Sequence, residues 1–408
     1  MAERNFPVAV VTDKAKKSLD KGHPWVYADE VLSITGDYQN GHLVDVRSGK
    51  GTFLGTGFIN DNSKIRIRII SRNANDKFDQ SFWTRRVRYA IDYRRTVMGD
   101  DFSSCRLIFG EADSFPGLTL DKFEDVLVAE VLSLGIEKVK HIIFKAAVDI
   151  LGEYGEKINV VYERNDVAVR TLEGMETYKD YHNLEGVDNG GDGKVVITEN
   201  GIKYEVDYIN GQKTGFFLDQ KYNRRAAAKI AKGKKVLDCF THTGSFALNC
   251  AKGGAEHVTA VDISESAIEQ TKKNACLNGL EDKMDFVCAN VFELLTDMYN
   301  SKKCDYDYII LDPPAFTKSR ATIESARKGY KEINLKAMKL LPRGGYLATC
   351  SCSHFMSDSL FRTMLNDAAH DAGVTLRQIE ERQQCCDHPI LPDVPETNYL
   401  KFYIFQIV

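Results

Sequence analysis

No stretch of the chain approaches the roughly 18 consecutive apolar residues of a membrane-spanning helix, so no membrane span is expected. The opening run MAERNFPVAVVTDKAKK lacks the apolar centre of a secretory leader, and the expected setting is reducing and cytoplasmic. There is no C-x-x-C and nothing resembling paired C-x-x-C knuckles, so no metal site is expected; the ten cysteines fall mostly in apolar runs such as VLDCF and FALNC and read as small buried hydrophobes. No internal repeat or low-complexity tract is present. Net charge is only −4, too small and of the wrong sign for a chain coated in nucleic acid.

What is present is uneven. Residues 1–110 hold 18 Lys/Arg against 13 Asp/Glu, a net +5, which leaves −9 on the remainder. Such a basic N-terminal part is equally a solvated face or a nucleic-acid-facing module. Residues 1–72 carry short β runs (GHLVDV, GTFLGTGFI, KIRIRII) and read as a small β-rich domain. Residues 73–186 read as a central α+β domain, opened by a helix over 80–98 whose Phe82, Val87, Ile91 and Val97 share an apolar side. Residues 187–233 are a linker hairpin and the segment after it; Asn200-Gly201 between two β runs specifies a tight turn. From residue 234 to 408 strands and helices alternate, giving an α/β fold class with a doubly wound, mostly parallel sheet.

In such a sheet, ligands bind at the carboxyl ends of the strands. VLDCFTHTGSFALNCA has no G-x-G-x-x-G; its turn holds Asp238, Thr241, Thr243 and a single glycine, Gly244. An acidic residue there repels a pyrophosphate and suits an amine-bearing cation, which points to S-adenosylmethionine. The next strand ends at Asp262, able to accept from two ribose hydroxyls, with Ser264 as a helix N-cap beside it. The third is followed by Asn290, a partner for an adenine amine.

The fourth strand ends in Asp312-Pro313-Pro314, where two prolines stiffen the loop. Phe316 and Lys318 follow, placed to touch a base and a phosphate. The fifth, GGYLATCSCSHF, brings Cys350 and Cys352 to the same sheet edge. A thiolate there fits methylation at carbon: adding it to C6 of a pyrimidine makes C5 nucleophilic. Asp312 would hold the base edge near N3, and the base must leave its stack to reach it. Cys350, nearest the strand end, is the expected nucleophile; Cys352 is a helper or packing.

The chain resembles the S-adenosylmethionine-dependent methyltransferases that form 5-methylcytosine in large-subunit ribosomal RNA and carry an N-terminal PUA domain. GHPWVYADE, INDNSKIRIR, GEADSFPGLTLD, TGFFLDQKYNRR, VLDCFTHTGSF, DPPAFTKS and TCSCS carry the resemblance from end to end. It implies a PUA domain that binds RNA, a Rossmann-like catalytic domain with a final antiparallel strand, and Asp219 near the cofactor. The family's T-C-S motif falls on Thr349-Cys350-Ser351; a second cysteine common in the wider group is Ala315 here. Two other readings stay open: N-methylation by the DPPAF loop without a thiol, and a non-catalytic RNA-binding assembly factor. The C-terminal strand, read as an antiparallel edge, would offer a surface for a second copy.

Overall fold

A computed structural model describes residues 5–317 and 319–408. Two compact units emerge. The first comprises the chain up to Ile197, then Val206–Leu218 and Cys386–Thr397; the second comprises Thr198–Glu205, Asp219–Cys385 and Asn398–Val408.

The first unit holds two sheets. Six strands form one, in the order Trp25–Val26, Ile67–Ser71, Phe53–Ile59, Leu43–Ser48, Val8–Val11, Val31–Thr35, over a core including Val11, Val44, Ile59 and Ile67. Five strands between Ser104 and Tyr181 form the other. The expected helix runs Gln80–Met98, capped by Asp79, whose carboxylate accepts from the Phe82 N–H at 3.0 Å. Its buried side differs from the expected one. Val97 is only partly buried, while Arg94 is fully buried. The guanidinium escapes the cost of burial because Asp113 takes it in two bonds of 2.6 and 2.7 Å and two backbone carbonyls, of Arg106 and Asp387, take it at 2.9 Å.

Seven strands form the sheet of the second unit: β1 (Lys235–Cys239), β2 (His257–Asp262), β3 (Met284–Cys288), β4 (Tyr308–Leu311), β5 (Tyr346–Ser351), β6 (Leu376–Arg382) and β7 (Lys401–Ile407). Their order is β3-β2-β1-β4-β5-β7-β6; β7 alone runs antiparallel, to β5 on one side and β6 on the other, and the remaining strands run parallel. Strand order reverses between β1 and β4, the place where an α/β sheet opens a crevice for ligands. Leu237, Ile309, Leu311 and Leu347 face a core shared with the helices Val291–Ser301, Ile323–Leu340 and Asp358–Ala372.

The expected C-terminal edge strand is not an edge. β7 lies between β5 and β6, and the edge is β6. That strand carries Arg377, Glu380, Glu381 and Arg382 and a bulge between Gln378 and Glu380, features that blunt an edge against pairing with another chain. The hairpin Lys194–Glu199/Ile202–Asp207 turns at Asn200 (φ 53°) and Gly201 (φ 73°), the left-handed pair its sequence predicts.

Candidate active site

Asp238 closes β1 in full burial. One carboxylate oxygen accepts from the Thr241 hydroxyl at 2.6 Å and the Ala247 N–H at 2.9 Å; the other has no partner among the described residues. Burial, reinforced by the charge of Asp312, raises its pKa to about 7. The turn beyond it is tightly wound: Phe240 (φ 64°) and His242 (φ 52°) both adopt the left-handed region that non-glycine residues avoid. Gly244 follows at φ 82°, and a Cβ there would meet Thr271 Cγ2 at 2.5 Å, so the helix Ser245–Lys252 starts on a residue only glycine can supply. Thr243 Oγ1 is buried without a partner among the described residues.

At the end of β2, Asp262 holds this turn by accepting from the His242 N–H at 2.9 Å, and its other oxygen accepts from the Ser264 N–H at 2.9 Å. Ser264 is the expected N-cap, accepting from Ala267 N–H at 3.3 Å. Asn290 likewise caps its helix, through its carbonyl oxygen and Phe292 N–H at 2.9 Å. The cap uses the amide's oxygen and leaves its NH₂ group, a donor, which would suit an adenine ring nitrogen better than the expected adenine amine.

Asp219 sits just before the helix Lys221–Lys229. Its Oδ2 accepts from Tyr399 OH at 2.6 Å, and its Oδ1 is buried without a partner among the described residues. Asp312, after β4, accepts from Gln220 Nε2 at 3.1 Å. Burial, then the charge of Asp219, raises its pKa to about 7, against the pull of Arg224. The four carboxylates therefore feel one another in one crevice. Two of them end in a buried, unpartnered oxygen, which calls for a donor of positive charge. S-adenosylmethionine carries an ammonium and a sulfonium, and this donor set fits it.

Proline and phenylalanine beyond Asp312 divide by environment. Pro313 is buried and Pro314 exposed. Phe316, expected against the substrate base, is partly exposed and packs its ring 4.5 Å from Tyr330 and 5.8 Å from Phe292, at the edge of the apolar core. Lys318 lies outside the described residues.

The two thiols also divide. The register Leu311↔Thr349 carries Asp312 alongside Cys350, which has no exposed surface; its thiol bonds Asp312, and burial pushes its pKa far up. Cys352, beyond the strand end, is partly exposed. Burial, then the charges of Asp312 and Asp219, push its pKa to about 12, while Lys401 pulls it down. That lysine is buried, donates to the Ser353 and Tyr399 carbonyls at 2.6 and 2.8 Å, and is lowered to about 8 by burial. Gln220, His242, Tyr399 and Lys401 were not foreseen. A lysine opening the apolar run LKFYIFQI is the one of them whose sequence context carried a signal.

Residues 175–406 match the family model described as S-adenosylmethionine-dependent methyltransferase, and residues 9–72 match a PUA-like domain. Ribosomal RNA large subunit methyltransferase I of Pseudoalteromonas translucida is 41% identical over 96% of this chain and 97% of its own length. The protein of the same name from Klebsiella pneumoniae (strain 342) is 36% identical over 100% of both. Among solved structures, a chain from Streptococcus mutans described as a SAM-dependent methyltransferase superposes with a TM-score of 0.81 at 22% identity, covering 98% of this chain and 99% of that one. A methyltransferase complexed with SAH superposes with a TM-score of 0.82 at 22% identity over the same shares.

Proposed function

The chain belongs to the S-adenosylmethionine-dependent methyltransferase family, with a PUA-like domain ahead of the catalytic one, and we propose that it methylates C5 of a cytosine in large-subunit ribosomal RNA. The named activity of relatives matched over nearly their whole length supports the substrate. The observation that carries the chemistry is the partly exposed residue Cys352, at the same strand ends as Asp312 and within the field of a buried lysine. The nucleophile is assigned to Cys352 in place of Cys350: a flipped base can approach a residue that keeps exposed surface, and Cys350 has none.

Asp219 and Asp238 would hold the cofactor's ammonium, Asp262 its ribose hydroxyls, and Asn290 its adenine, with Gly244 keeping the helix start open to it. Bound there, the cofactor supplies an electrophilic methyl group. Asp312, poised near neutrality, donates its proton to N3 of cytosine while the Cys352 thiolate adds to C6. The S–C6 bond forms and the C5=C6 electron pair moves to C5. C5 would take the methyl group as its bond to the cofactor's sulfur breaks, a base would remove the C5 proton, the S–C6 bond would break to restore the thiolate, and N3 would return its proton to Asp312. The Lys401 ammonium favours the thiolate throughout, and Cys350 supports Asp312 from below.

One observation favours a second reading: a thiol pushed to about 12 is a poor nucleophile, and Asp312-Pro313-Pro314 could hold an exocyclic amine for direct N-methylation. Nucleoside mass spectrometry of ribosomal RNA treated with labelled cofactor separates the two. We expect 5-methylcytidine, about a 10³-fold or greater loss of kcat in Cys352→Ala, and retained activity in Cys350→Ala. Activity in Cys352→Ala with none in Cys350→Ala would return the role to Cys350. Activity in both variants, with methyl on nitrogen, would establish the second reading.

A further inference from the structure

The first unit contains a groove that the methyl-transfer chemistry does not use. One part, of about 650 Å³, lies along the helix Gln80–Met98 and is lined by Arg85, Arg86, Tyr89, Tyr93 and Pro389–Leu391. A second part, of about 230 Å³, shares Arg86, Ser114 and Leu391 with the first and extends to Arg72 and Pro24. The two are therefore one continuous depression.

Its acidic residues are already engaged. Asp113 is committed to Arg94 in two bonds of 2.6 and 2.7 Å. Glu111 accepts from the Trp25 indole at 2.9 Å and lies 3.8 Å from Arg68. Asp76 accepts from the Ser71 hydroxyl at 2.5 Å and pairs with Arg85 at 3.3 Å. Two arginines are left over. Arg86 is partly buried, its guanidinium 4.8 Å from the Phe82 ring, and it makes no ion pair among the described residues. Arg72 donates to the His23 carbonyl at 3.4 Å and makes no ion pair among the described residues either, with Asp20 and Asp393 acting on it only at longer range. Arg72 is exposed and Arg86 partly buried; the charge of Asp76 reaches Arg86, but neither guanidinium has a carboxylate within ion-pair distance among the described residues, and each can take an anionic partner. Tyr89, lining the first part of the groove, is 62% exposed and has no ring stacked on it among the described residues.

Resting on the ribosomal RNA reading, we infer that this groove binds a single-stranded stretch of the RNA substrate, with Arg72 and Arg86 on successive phosphates and an unstacked base on Tyr89. Planar guanidinium forks match phosphate oxygens, and a lone tyrosine face takes any base. The groove thus anchors RNA without reading its sequence, a task separate from the methylated base's own pocket.

The test is fluorescence anisotropy of the full-length protein with fluorescein-labelled oligouridylate across a salt series, beside calorimetry with S-adenosylhomocysteine. Arg72→Gln/Arg86→Gln should weaken RNA binding about tenfold and flatten the slope of log K against log salt by about 1.4, as expected for two lost phosphate contacts on a single strand. Tyr89→Ala should weaken binding about tenfold with the slope unchanged. Unchanged melting curves together with unchanged S-adenosylhomocysteine affinity in every variant show that the loss is not misfolding of either unit. Wild-type binding matched by the arginine variants in affinity and slope would overturn the groove and leave the RNA reading standing. A wild-type protein that binds S-adenosylhomocysteine but no RNA would overturn both.

Discussion

On one helix of the first unit, Arg94 meets Asp113 in two short bonds, while Arg86, about two turns earlier, meets no carboxylate among the described residues. The second unit repeats the contrast with the sign reversed. Arg224 and Glu199, both fully buried, form two bonds of 2.6 Å, while Asp238 and Asp219 each keep a buried oxygen without a partner among the described residues. A buried charge with a partner of its own belongs to the fold. A buried charge without one, as at Asp238 and Asp219, is half of an interaction whose other half, a cation, comes from outside; the partly buried Arg86 offers a weaker form of the same opening to an anion.

The largest effect should come from breaking a complete pair. Glu199→Gln leaves Arg224 buried and uncompensated, and urea denaturation should register a loss of about 3–5 kcal/mol. Replacing both residues with apolar ones of similar volume should recover most of it, because the pair contributes little net stability once both charges are gone. If the double replacement is no more stable than Glu199→Gln, the pair does more than satisfy itself.

Asp238→Asn should do the reverse. Cofactor affinity, followed by calorimetry with S-adenosylhomocysteine, should fall about 100-fold, the scale of losing one buried charge-assisted contact. The melting temperature should hold or rise, since a carboxylate raised to about 7 by burial is already unfavourable when charged. Affinity and melting temperature falling together would put Asp238 with Glu199, as a structural acid.

The strand-end acids were legible because a parallel sheet brings successive strand ends to one crevice whatever the details of packing. Asp238, Asp262 and Asp312 needed only the strand boundaries, and Asn200-Gly201 needed only its turn chemistry. The two thiols were not separable in this way. Period-two alternation puts Cys350 and Cys352 on one face of β5, and what separates them is depth. Depth is set by where β7 stops pairing: the register Ser351↔Lys401 is its last step, which leaves Cys350 covered and Cys352 beyond the sheet. The ring contacts of Phe316 were not legible for a related reason, since Tyr330 and Phe292 come from helices that its own loop does not specify. The return of Cys386–Thr397 to the first unit is likewise a tertiary fact with no local signal. Nothing in the sequence marks Arg86, because its missing partner is visible only once every neighbouring acid has been assigned.

The smallest effect is also the most diagnostic, because the incomplete charges of the second unit make opposite demands on pH. Asp238 and Asp312 are both raised to about 7 without ligand. The folded protein therefore holds protons that an unfolded chain releases near pH 4, so these two groups make ligand-free stability fall as pH rises from about 4 through 7. A cationic ligand beside Asp238 lowers that group's pKa and expels its proton on binding, while Asp312 keeps the proton it gives to N3. Cofactor affinity should then climb as pH rises toward 7, by at most about tenfold per pH unit, and level off above it. Calorimetry of S-adenosylmethionine binding at pH 6.5 in two buffers of different ionisation enthalpy should show net proton release, reduced in Asp238→Asn. Proton uptake, or an affinity that falls as pH rises from about 5.5 to 7, would mean the carboxylates are not neutralised by the ligand, and Asp238 would lose its place beside the cofactor's ammonium.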